Sequence, residues 1–114
     1  REVNEIYRKE LGDLFYSFQE EQENDRSNMW LTCALMNGSD RPDDLIAHLA
    51  KENIEARRLW KPMHHQPVMR EYKKYINGNS SLLFLQGICL PSGSDLTDED
   101  MKRIIKSIKT FFKQ

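Results

Sequence analysis

Gly87-Ile88-Cys89-Leu90-Pro91-Ser92-Gly93-Ser94-Asp95-Leu96-Thr97-Asp98-Glu99-Asp100 runs strand, loop and helix start in one short stretch. Gly87 to Leu90 is a brief apolar strand, and the proline and the small polar residues after it cannot continue a ladder. Thr97 stands as N-cap with Asp100 at the reciprocal capping position, and Asp98 and Glu99 place anions where the helix dipole favours them. Met101, Ile104, Ile105, Ile108, Phe111 and Phe112 then recur on one helical face, opposed by Lys102, Lys106, Lys109 and Lys113. Such a helix must lay its stripe on something apolar, and the strand before it points to a sheet.

The remaining chain supplies that sheet and more helices. Val3, Ile6, Tyr7, Leu11, Leu14, Phe15 and Phe18 recur at helical spacing, so a helix is expected over residues 1–18. It has no visible N-cap, and the sequence opens on Arg1 rather than Met, which leads us to expect a chain cut from something longer. Gln19 to Ser27 is polar and reads as a loop. Met29 to Met36 is apolar on both alternating faces, as in a strand covered on both sides. Ser39 or Asp40 can cap a following helix that begins near Pro42 and buries Leu45, Ile46 and Leu49. Ile54 to Trp60 reads as a further strand with Arg57 and Arg58 on opposite faces. Val68, Met69, Tyr72 and Ile76 mark a short helix, and Leu82 to Leu85 another helical turn. The expected class is α+β: a small antiparallel or mixed sheet of about three strands packed against helices.

One domain with one core suits 114 residues. With 17 basic against 18 acidic residues, the chain has no net field for nucleic acid or anionic lipid. Its longest purely apolar run, Leu82 to Leu85, falls far short of the roughly 20 residues of a membrane span. Expected partners therefore exclude nucleic acid and membrane. Cys33 and Cys89 each lie within an apolar strand, outside any CxxC frame, and are expected as free buried thiols in a reducing cytoplasm.

The chemistry concentrates in Arg57-Arg58-Leu59-Trp60-Lys61-Pro62-Met63-His64-His65-Gln66-Pro67. Two prolines keep this stretch irregular, and irregular backbone is where binding side chains gather. Arg57, Arg58, Lys61, His64, Gln66 and Tyr72 offer donors to a phosphate or carboxylate beside the stackable face of Trp60. A metal at His48, His64 and His65 is disfavoured, because adjacent histidines rarely converge on one ion and no Cys or carboxylate stands at zinc-ligand spacing. A cysteine nucleophile is disfavoured by the apolar strands around both thiols.

The Trp60 segment, Arg57 followed by Leu59-Trp60-Lys61-Pro62-Met63-His64 and Gln66-Pro67, resembles the C-terminal signature of the DegT/DnrJ/StrS sugar aminotransferases. Ser27-Asn28-Met29-Trp30-Leu31 is similar to that family's strand opening, and Gly87 to Ser94 with Leu96 to Asp100 to its closing strand, loop and helix. The resemblance implies an aspartate aminotransferase-like protein of fold type I, of which this chain is the C-terminal small domain: residues 1–18 the end of the linking helix, residues 27–114 the domain. It implies a parent enzyme that uses pyridoxal phosphate to move an amino group, typically from glutamate, to a nucleotide-linked keto sugar. The cofactor lysine would lie outside these residues, leaving the fragment without cofactor and inactive. Implied partners are the large cofactor-binding domain, the nucleotide sugar and a second subunit in a cytoplasmic homodimer. Arg57, Trp60, Lys61, His64 and Gln66 are implied as substrate-binding residues. Where the family often has Ser-Arg-Pro, this chain has Ala56-Arg57-Arg58, which adds a cation, and His65 stands where an apolar residue is common. A free-standing module for a sugar phosphate or a protein partner is the alternative reading. Cut from a larger protein, the domain is expected to self-associate through its first helix or around Trp30 and Trp60.

Overall fold

In a computed structural model that describes residues 1–38 and 41–114, the chain is α+β. In chain order it runs α1 (Glu2–Leu11), β1 (Ser17–Phe18), β2 (Thr32–Leu35), α2 (Pro42–Ala50), β3 (Arg57–Arg58), α3 (Asn79–Gln86), β4 (Gly87–Leu90) and α4 (Asp98–Phe112). Two 3-10 turns, Met63–His65 and Pro67–Met69, lie between β3 and α3. The sheet has four strands in the order β1-β2-β4-β3, every pair antiparallel. The expected three strands are thus joined by β1.

Register divides the sheet into two faces. Phe18, Ala34 and Ile88 stand in one row, and the same face carries Thr32, Met36 and Leu90, all buried. Against it pack Tyr7 and Leu11 of α1, Leu45 and Leu49 of α2, and Ile104 and Ile108 of α4. Each is buried, so the apolar stripes read from the sequence form one core. Cys33, Cys89 and Arg57 stand in a row on the other face, which no long helix covers.

α1 ends at Leu11, and the helix expected through residue 18 does not form. Gly12 weakens the helix by about 1 kcal/mol relative to alanine. Beyond it Tyr16 N–H donates to the Leu35 carbonyl and Gln19 N–H to the Cys33 carbonyl, so the chain joins the sheet edge. Phe15 and Phe18 still reach the core, edge to face at 5.4 Å from each other. Their three-residue spacing suits a turn leading into a strand as well as a helix. The helix expected around Val68 to Ile76 is replaced by the Pro67–Met69 turn and irregular chain. Val68, Tyr72 and Ile76 are all exposed, so no tertiary contact supports a helix there. Of the strand expected over residues 54–60, the ladder includes only Arg57 and Arg58. α2 has Arg41 at its N-cap; Ser39 and Asp40, the caps expected from sequence, lie outside the described residues.

Two contacts across the domain fix the Leu90–Thr97 loop. The Tyr7 hydroxyl donates to the Pro91 carbonyl at 2.8 Å, and burial pushes the phenol's pKa up. Thr32 N–H donates to Ser92 Oγ at 2.8 Å, and that hydroxyl donates on to the Leu90 carbonyl. The capping box on α4 forms as read: Thr97 Oγ1 accepts from Asp100 N–H, and an Asp100 carboxylate oxygen accepts from Thr97 N–H. Thr97→Ala is expected to lower unfolding stability by about 1 kcal/mol, measured as a fall in thermal midpoint with the folded-state circular dichroism unchanged. A midpoint equal to the parent chain's would show that the box contributes nothing.

Candidate functional site

After β3 the chain leaves the sheet at Leu59, which lies over Gly87. A Cβ there would come within 2.1 Å of Leu59 Cδ1 and 2.4 Å of the Leu83 carbonyl oxygen, so the position accepts only glycine without rearrangement. Leu59 thereby sets the path of Trp60, whose indole lies 66% exposed over the uncovered sheet face. Trp30, 70% exposed, approaches it with ring centroids 6.4 Å apart and planes tilted by 47°. Beneath the two indoles opens a cleft of about 390 Å³ walled by Arg57, Cys89, Pro91 and Ser92. Both loop motifs singled out in the sequence therefore meet at one place, joined by Trp30 from the third.

The two 3-10 turns carry the remaining candidates. Pro62 is buried and anchors the segment, while Lys61 is exposed. Gln66 Nε2 donates to the Lys61 carbonyl at 3.4 Å, which folds the segment back on itself. His64 Nε2 lies 3.1 Å from Ser81 Oγ, and His65 Nε2 lies 3.2 Å from the same oxygen. The hydroxyl of α3 thus holds both imidazoles, packed edge to face at 4.4 Å. Arg57 Nε donates to Glu55 Oε1 at 2.7 Å on the exposed rim, so its charge is partly met before any ligand arrives.

Of the five candidates, Arg57 and Trp60 share the cleft; His64 is held by Ser81, Lys61 precedes the first turn, and Gln66 after it donates back to the Lys61 carbonyl. Arg58, read as a possible anion donor, has a structural role. It forms a two-pronged pair with Asp43 of α2 at 2.6 and 2.7 Å and donates to the Phe84 carbonyl at 2.8 Å, with its guanidinium over the Phe84 ring. That pair ties α2, β3 and α3 together. Sequence reading missed Trp30 as the partner of Trp60 and Ser81 as the pivot of the histidines. Both pairings join residues distant in sequence, so no local signal marks them.

His48 lies apart, its Nε2 3.1 Å from the Ser107 carbonyl and its ring against Phe111. Among the described residues no three His, Cys, Asp or Glu side chains converge as metal ligands do. Nor is any described helix long and apolar enough to cross a membrane. A pyridoxal phosphate needs an amine for its aldehyde, a carboxylate for its ring nitrogen and donors for its phosphate. The Trp60 cleft is walled by no lysine. The groove between α1 and α4 has Lys102, Lys106, Lys109 and Lys113 over Ile6 and Ile105, but none of the residues lining it is an aromatic that could face the ring. Neither place fits the whole cofactor.

A profile of the DegT/DnrJ/EryC1/StrS aminotransferase family matches residues 1–109. Among similar proteins is EpsN of Bacillus subtilis, whose name describes a pyridoxal phosphate-dependent aminotransferase: 39% identity over 93% of this chain and 29% of that protein. The GDP-perosamine synthase of Vibrio cholerae is 30% identical over 98% of this chain and 31% of its own length. A crystal structure of a DegT DnrJ EryC1 StrS aminotransferase from Brucella abortus superposes with a TM-score of 0.82 at 24% identity, covering 99% of this chain and 30% of that one. The chain thus spans about a third of the length of the relatives it matches.

The Arg58–Asp43 contact makes stability depend on pH at the acid end. The hydrogen bond from Arg58 holds the Asp43 carboxyl below its ordinary pKa. Its contribution is therefore complete above the unfolded value of about 3.9 and is lost as pH falls through the lower folded value. Arg58→Met is expected to destabilise by about 1 kcal/mol at neutral pH and to flatten the acid limb of the stability curve. Trp60→Phe, at an exposed position, is expected to change stability by less than about 0.5 kcal/mol. Urea titrations at several pH values check both, and an Arg58→Met acid limb as steep as the parent's contradicts the assignment.

Proposed function

Since the chain belongs to the DegT/DnrJ/EryC1/StrS aminotransferase family, we propose that it is the C-terminal small domain of a pyridoxal-phosphate-dependent aminotransferase acting on a nucleotide-linked keto sugar. The helix α1 is the end of the linking helix, and the sheet with its remaining helices is the domain that closes over the site. Glutamate is the amino donor that the family resemblance implies. The observation that carries this reading is the meeting of the Trp60 segment and the Leu90–Ser94 loop around one open cleft, on a face that helices leave uncovered.

The roles follow from what each side chain offers. Trp60, paired with Trp30, presents an aromatic surface against which a base or sugar ring can pack. Lys61 meets a phosphate as a point charge, and Arg57 does so by exchanging Glu55 for the ligand. His64, oriented by Ser81, is a hydrogen-bonding group for a sugar hydroxyl, and Gln66 holds the backbone that presents Lys61. The cofactor and its lysine belong to the part of the family's length that this chain does not span. Tyr72, Tyr75, Ile76, Leu82 and Leu85 are all exposed on the segment after the histidines. Such a patch suits docking on the large domain, and the exposure of Trp30 and Trp60 supports self-association of the isolated chain around those two indoles.

In the family-length protein, Trp60→Ala is expected to raise KM for the nucleotide sugar about tenfold, the equivalent of one aromatic contact of about 1.4 kcal/mol, and to leave the glutamate half-reaction unchanged. Stopped-flow measurement of the two half-reactions separates these effects. Equal loss in both, or covalent attachment of pyridoxal phosphate to a lysine of this chain, would contradict the proposal. Tight binding of a nucleotide sugar by the 114-residue chain alone would favour a free-standing module instead.

A further inference from the structure

Cys33 and Cys89 face each other across β2 and β4. Met36 N–H donates to the Gln86 carbonyl, so 36 and 86 are a hydrogen-bonded pair of this ladder. By alternation Cys33 and Cys89 occupy a non-hydrogen-bonded pair, where Cα atoms of antiparallel neighbours lie about 4.5 Å apart. That separation falls within the range of about 4.4–6.8 Å that disulfides span. The two sulfurs are 3.7 Å apart, and both thiols are free. Closing that gap needs side-chain rotation and no new backbone path.

We propose that Cys33 and Cys89 are a redox-responsive dithiol, closed to a reversible disulfide beneath Trp60 by hydrogen peroxide. Burial selects the oxidant. Cys89 is 7% exposed and Cys33 is half-buried, so a bulky disulfide compound cannot reach Cys89, whereas a molecule little larger than water can. Cys89 opens on the cleft beside Trp60 and Arg57, and Cys33 on a second cavity of about 350 Å³ between Trp60, Leu59 and Leu83. Either thiol alone in an apolar strand would be inert. The pair differs, because the S–H of one sulfur stabilises a thiolate on the other. That contact lowers the Cys89 pKa, while the same contact and burial push Cys33 up.

The steps balance. The Cys89 thiolate attacks one oxygen of the peroxide: the S–O bond forms, the O–O bond breaks, and hydroxide leaves to take a proton and become water. The Cys33 sulfur then attacks the Cys89 sulfenic acid: the S–S bond forms, the S–O bond breaks, and the hydroxyl departs as a second water with the Cys33 proton. Two thiols and one peroxide give one disulfide and two waters; the sulfurs lose two electrons and the peroxide gains them. A small-molecule dithiol reverses the change by exchange. The bond would tie the two central strands together under the indole. The inference does not depend on the function proposed above.

The test treats the 114-residue chain with equimolar hydrogen peroxide and then unfolds it in denaturant containing an alkylating agent, so that both sulfurs are open to the reagent. Expected are loss of both alkylatable thiols, a monomer lighter by two hydrogens, a Cys33–Cys89 linked peptide, and return of both thiols with dithiothreitol. Indole fluorescence should fall on oxidation and recover on reduction, and Trp60→Phe should diminish that change. In Cys33→Ala, which removes the sulfur that stabilises the Cys89 thiolate, the same treatment should leave Cys89 alkylatable, with no loss of two hydrogens. Thiols that stay alkylatable while free cysteine in the same tube is oxidised would overturn the proposal. Sulfinic acids or chain-to-chain crosslinks in place of the internal bond would do so equally.

Discussion

The antiparallel pairing of β2 with β4 is the constraint on which the rest of the domain depends. These two four-residue strands are far apart in sequence, and their register, Thr32 opposite Leu90 through Leu35 opposite Gly87, gives each side chain its face. A slip of β2 by one residue against β4 would turn Ala34 outward and bring Cys33 to the core face. Two features pin the register from outside the ladder. Ser92 accepts from Thr32 just beyond one end, and at the other Gly87 lets Leu59 lie on the sheet. The helices then cover one face only, which leaves the other for Trp30, Trp60 and the loops.

The elements legible in the sequence were those with a strong local signal. The capped α4, the closing strand and the buried stripe of α2 follow from periodicity and end chemistry, and they form as read. Where the reading missed, tertiary contact had decided the outcome. Phe15 and Phe18 keep a helical spacing after Gly12, yet the edge of β2 offers hydrogen bonds that a further helical turn would forgo. Val68 and Ile76 lie at helical positions with nothing to pack on, so the chain between them stays irregular. The candidate site was legible as a place more than as a set of contacts. Trp60 and the Leu90–Ser94 loop stood out, but nothing local could reveal that Trp30 would meet Trp60 or that Ser81 would hold both histidines.

Arg57 and Arg58 show why residue chemistry alone divides poorly into roles. Adjacent on an edge strand, they leave it on opposite faces. Arg58 turns to the helical side, where Asp43 and the last carbonyls of α3 accept from all three of its guanidinium nitrogens, and it becomes a strut. Arg57 turns to the open side, where it pairs with the exposed Glu55 carboxylate. The same alternation puts Cys89 beside Arg57 and Ile88 beside Arg58. One face of the sheet is thus a core, and the other is a surface with aromatic, cationic and thiol groups.

The central claim is that this second face, with the Trp60 segment and the Leu90–Ser94 loop, turns toward substrate in a protein of family length. Hydrogen–deuterium exchange on that protein, with and without a nucleotide sugar, tests it most directly. Protection on ligand addition concentrated at residues 57–66 and 90–94, with the groove between α1 and α4 unchanged, is the expected result. Protection confined to α1 and α4, with the Trp60 segment exchanging as before, would contradict it.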